Sequence, residues 1–167
     1  MVFRDGARSW AADAYALAPT EALVIKVYRC AMAGFSVGQT DCWDVGWQAL
    51  GEAVSPSEAG PLFGEFYGFV RALLAVAPTP LSWRPASCRG LCNDEWLALC
   101  MIEAAQRSDM VGLLATAAKL LAVDELGDAL QSIQSLASAL ARRGLFLCST
   151  RQGETCGSDL CPLRRLH

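Results

Sequence analysis

Cysteine is the residue type whose number and spacing could carry chemistry in this chain. Eight thiols occur in 167 residues, and Cys88, Cys92 and Cys100 fall close together around a turn and the helix that follows it. Three more, Cys148, Cys156 and Cys161, lie in a glycine-bearing stretch with no helical period. Four thiolates are enough for a tetrahedral metal site. The candidate ligand set is therefore Cys88 and Cys92 with Cys156 and Cys161, and Cys100 and Cys148 are alternates. Soft sulfur ligands suit zinc or an iron–sulfur cluster. Neither spacing is the Cys-x2-Cys common at zinc sites, so the sequence leaves the metal's identity open.

Two other fates compete for the same thiols. Cys88 or Cys92, close to a helix N-terminus and to Arg89, would have its thiolate favoured by positive potential, as a redox sensor requires. Reduced cysteines with no chemistry at all are the third reading. Cys30 belongs to that class, because it falls within an apolar helix face and behaves there as a small hydrophobe.

Several other chemistries are excluded. The single histidine is His167, so a Ser-His-Asp triad, a Cys-His pair or an axial haem ligand has no imidazole held by a folded segment. No glycine-rich loop brings the strand, lysine and hydroxyl of a phosphate cradle, and the carboxylates Glu52, Glu58, Glu65 and Glu103 fall on different elements. No small-molecule substrate is identifiable. A net charge of −3 gives no general attraction for nucleic acid, although arginines outnumber acids from Arg142 onward.

The elements that must position the thiols read as helices throughout. The expected fold is an all-α, single-domain bundle of about six helices ending in an irregular, Cys-containing tail. One helical group spans 8–77, a proline-rich crossover 78–87, a second helical group 93–144, and the tail 145–167. Within the first group, a weak helix is expected from Arg8 to Leu17 and a clear one from Glu21 to Ala33, stopped by Gly34. A third carries Trp43, Trp47, Leu50 and Val54 beside the smaller Cys42, Gly46, Ala49 and Ala53, and a fourth starts at Gly60 and Pro61 and stops before Pro78. In the second group, helices are expected at 93–107, from Ser108 or Asp109 to Leu121, and from Glu125 to Arg143. Met110, Leu113, Leu114, Ala117 and Leu121 are expected inward on the second of these. Trp96 and Leu99 leave an apolar patch on the outer side of the first, where a docked tail would fit.

Gly60, Gly64, Gly68 and Ala72 recur every fourth residue, at a cost of about 1 kcal/mol per interior glycine. A close helix crossing, inside the domain or across a dimer axis, is the expected compensation. Hydrophobic residues make up 53% of the chain, an apolar surplus that also suggests an interface. The runs 62–77 and 111–123 are broken by Glu65, Arg71 and Lys119, which argues against a membrane span. With no secretory signal pattern, the expected location is cytoplasmic. Two functions follow as expectations. One is a non-enzymatic regulatory or accessory protein whose cysteines bind metal or sense redox state. The alternative is a helical interaction module, self-associating or with a protein partner, and no metal.

Overall fold

Tryptophan and glycine together decide how the first helices meet. α1 (Pro19–Val37) runs past Gly34 and ends at Gly38, whose φ of 72° supplies the left-handed cap. Gly34 does not stop the helix; it makes room for a neighbour instead, since a Cβ there would overlap the indole of Trp43 on α2 (Asp41–Ala53). Gly46 on α2 likewise faces α1 and α3, where a Cβ would lie 3.2 Å from both Cys30 and Phe63. Small residues on each helix thus let the two backbones approach. Trp47 is instead half exposed and rests its ring over Gly60.

The computed structural model describes residues 17–123 and 126–148. Six helices form among these residues, and the protein is all-α. The remaining four are α3 (Pro56–Val76), α4 (Asn93–Gln106), α5 (Met110–Leu121) and α6 (Asp128–Ala141). The helix expected at 8–17 and Glu125 lie outside the described residues apart from Leu17.

α3 starts five residues earlier than the Pro61 expected in its first turn. Pro56 takes the first-turn role after Ser55, and Pro61 sits inside the helix on its exposed side, omitting one N–H. Its inner face is as the periodicity predicts: Leu62, Phe66, Phe69 and Leu73 are fully buried. α1 packs against α2, α3 and α4, while α6 packs against α3 and α4, so both helical groups share one continuous core. α4 is buried on two sides, and Leu99, expected on the outer surface, belongs to that core. α5 rests on α4 alone among its substantial helix contacts.

α6 begins after Leu126 and Gly127, whose φ of 49° turns the chain. Ile133, Leu136, Ala137 and Leu140 face inward, and Gln131, Gln134 and Ser138 face out, as its period requires. Arg143 donates to the Ala139 carbonyl at 2.8 Å and pairs with Glu58 of α3 at 3.5 Å, and Gly144 closes the helix at φ 70°. No described helix is long and apolar enough to cross a membrane.

Candidate functional site

The crossover carrying Cys88 and Cys92 is anchored by one arginine. Arg29 lies in the middle of α1 and is buried there between the core residues Tyr28 and Cys30. Its Nε and Nη2 donate to the two carboxylate oxygens of Glu95 at 2.6 and 2.8 Å, the paired geometry that suits guanidinium to carboxylate. Nη1 donates to the Cys88 carbonyl and Nη2 to the Gly90 carbonyl, both at 2.6 Å. Glu95, with no exposed surface, also accepts the backbone N–H of Arg84 at 2.9 Å and of Cys92 at 3.0 Å. The last bond reaches back from the third residue of α4 to its cap, half of a capping box. One ion pair therefore fixes residues 84–92 and the start of α4 on the flank of α1.

The two thiols in this loop have opposite character. Cys88 has its pKa lowered: the Gly90 backbone N–H donates to the sulfur, Arg84 Nη1 lies 3.9 Å from it, and the charges of Arg84 and Arg29 add to the effect. Burial pushes the Cys92 thiol up to about 11, helped by the charge of Glu95, and its Sγ donates to the Ser82 carbonyl at 3.2 Å. The backbone N–H groups of Asp94 and Glu95 at the helix start do favour a Cys92 thiolate, but burial and then the carboxylate charges outweigh them. Burial also raises Cys30, which is in the core as its sequence position predicts. The Tyr28 hydroxyl is buried without a hydrogen-bond partner among the described residues; desolvation, then the Glu95 charge, holds it protonated.

Of the sequence-derived ligand set, Cys88 and Cys92 share this loop, whereas Cys156 and Cys161 lie outside the described residues. Cys100 is on α4, partly buried. Cys148 sits elsewhere along α1: its backbone N–H donates to Glu21 Oε1 at 2.7 Å. Glu21 and Arg29 are eight residues apart, about 12 Å of helix rise. Among the described residues no three His, Cys, Asp or Glu side chains are arranged to hold a metal ion. A glutamine of α4 holds the beginning of the tail. Gln106 at the end of α4 donates to the Leu145 carbonyl at 2.9 Å and accepts the Leu147 N–H at 2.9 Å, while Leu147 itself is buried.

The glycine stripe of α3 divides in the same way. Gly60 is occupied by the chain's own Trp47, Ala72 packs against the core, and Gly64 and Gly68 have nothing within 4 Å of a Cβ position. The last two therefore line no crossing inside the described domain.

A second surface was not legible in the sequence. α5 turns Leu113, Ala117, Leu120 and Leu121 toward α4, so Met110 and Leu114, expected inward, point outward instead, each 42% exposed. Both sides of this helix are apolar, so hydrophobic spacing had no polar side to orient it. Val111, 81% exposed, and the exposed Ala115 and Ala118 continue the outer face at helical spacing, with Lys119 at its edge. Scattered exposed aliphatics are ordinary, but a contiguous apolar helix face is the mark of an interaction surface. α6 shows the usual alternative, a polar outer face on a helix buried along the other.

Comparison with known proteins gives no match to any family model, curated protein or solved structure. The two features that bear on function are therefore the arginine clamp and the α5 face that is exposed among the described residues.

Proposed function

We propose that this protein is a non-enzymatic accessory module that binds another protein through the outward face of α5. The observation that supports this is the run Met110, Val111, Leu114, Ala115 and Ala118, all exposed among the described residues on a helix whose packing against α4 is on its other side. Burying a wholly exposed aliphatic side chain contributes about 1.5–3 kcal/mol, so covering Val111 alone would stabilise a complex measurably. The test is the size of the assembly that the full chain enters in an extract of its own cells. Val111→Asp with Ala118→Asp should reduce it to that of the isolated chain. An unchanged elution volume would reject the reading.

A thiol-based regulatory role is the second reading, favoured by Cys88. Its thiolate is stabilised on a loop whose carbonyls are tied to the buried Arg29, so modification of that sulfur would load a strut between the two helical groups. A metal bound by Cys88, Cys92, Cys156 and Cys161, zinc or iron–sulfur, is the other form of this role. Metal analysis of anaerobically purified full chain, compared with Cys88→Ser/Cys92→Ser, tests it. Stoichiometric metal lost in the variant supports the site, and equal metal content in both proteins rejects it.

A further inference from the structure

Resting on the reading of α5 as a docking surface, we propose that its partner is a second copy of this chain. The two α5 helices pair antiparallel about a two-fold axis between Leu114 and Ala115. The order of side chains along the face is what points to self-association. In an antiparallel pair with this axis, residues whose numbers sum to about 229 lie opposite one another. Val111 then meets the partner's Ala118, and Leu114 meets the partner's Ala115. Each large side chain faces a small one, and the same fit recurs on the other side of the axis, as a two-fold interface requires. Parallel pairing would set Val111 against Val111 and Ala118 against Ala118, so large side chains would no longer meet small ones across the contact.

The charges at the ends of α5 obey the same symmetry. Asp109 caps the helix, its Oδ1 accepting the Gly112 N–H at 2.8 Å. Gly112 and Lys119 are seven residues apart and so share one edge of the helix, which carries a carboxylate at its N-terminal end and an ammonium at its C-terminal end. A two-fold perpendicular to the helices brings each edge against the corresponding edge of the other copy, running in reverse. Lys119 thereby comes level with the carboxylate of the partner's Asp109. Asp109 and Lys119 are both exposed among the described residues, so both side chains can reach this contact.

Sedimentation equilibrium on the full chain across a dilution series tests the proposal. The wild type should have twice its 17.9 kDa mass at the concentrated end. Val111→Glu and, separately, Ala118→Glu should be monomeric with unchanged helical circular dichroism, since both side chains are exposed, and should share the thermal midpoint of wild type diluted to monomer. Lys119→Glu should weaken dimerisation by about tenfold, because two symmetric contacts become repulsive. A wild type that stays monomeric at every concentration, or a Val111→Glu dimer as tight as wild type, overturns the proposal. A monomer whose α5 face is open to solvent labelling removes the second copy and leaves the docking reading standing. A monomer whose thermal midpoint falls on Val111→Glu shows the chain covering its own α5, and both readings fail.

Discussion

Replacing Glu95 with glutamine should destabilise the fold far more than loss of an ordinary ion pair. Glu95 has no exposed surface, and Arg29 is 3% exposed at its side chain. The carboxylate accepts four hydrogen bonds, two from Arg29 and one each from the backbone of Arg84 and Cys92. Glutamine keeps the shape but offers one carbonyl oxygen and points an NH2 at donors. The guanidinium is then a buried charge without its counter-charge. Breaking a buried pair from one side costs about 3–5 kcal/mol, against about 0–1 kcal/mol for an exposed pair. For a domain of this size that is a thermal midpoint lowered by roughly 6–20 °C, and a large part of a total stability of about 5–15 kcal/mol. Urea unfolding followed by circular dichroism measures it, with the midpoint shifted and the slope unchanged. Arg29→Met combined with Glu95→Gln should cost less than the sum of the two single changes by more than about 1 kcal/mol. A Glu95→Gln loss below about 1 kcal/mol, or additive single changes, would refute the claim that this pair anchors the crossover.

Other expectations follow from the same geometry. Iodoacetamide should alkylate Cys88 well ahead of Cys92 near neutral pH, as peptide mass mapping would show; equal rates would contradict the hydrogen bonds assigned to the Cys88 sulfur. Cys92 has a folded pKa raised from 9.0 to about 11, so the folded state holds that proton more tightly than the unfolded chain. Its contribution is present below pH 9 and is lost as pH rises toward 11, and Cys92→Ser should remove that segment of the stability–pH curve. Gly34→Ala should destabilise by about 1–3 kcal/mol through Trp43, whereas Gly64→Ala, facing open space, should stabilise by about 0.4–1 kcal/mol. Chemical denaturation of the pair distinguishes a glycine with a neighbour from one without. Gln106→Ala should raise amide exchange at Leu147 and leave α4 protected.

The helices were legible where one face was apolar and the other was not. α6 and the inner face of α3 follow their period because polar or small residues marked the outside. α5 was legible only in part: Leu113, Ala117 and Leu121 are buried as expected, but much of its outer side is apolar too, and contact with α4 left Met110 and Leu114 outside. Gly34 departs from expectation for a different reason. Glycine is both a helix stop and a seat for a bulky neighbour, and the neighbour is Trp43, whose docking no local pattern encodes. The clamp is invisible to local pattern because Arg29 and Glu95 are 66 residues apart and each looks ordinary in its own helix. An arginine inside the run from Val24 to Ala33 was the available signal, since a charge amid core residues requires a buried partner. Likewise Glu21 and Gln106, which hold the backbone of residues 145–148, have no sequence mark that pairs them with it.

Hydroxyl-radical labelling of α5 as a function of protein concentration tests the central claim most directly. Met110, Val111 and Leu114 should label readily in dilute protein and become protected as concentration rises, while the exposed residues of α6 do not change. Labelling of α5 that is the same at every concentration, and the same in Val111→Glu as in wild type, would contradict it.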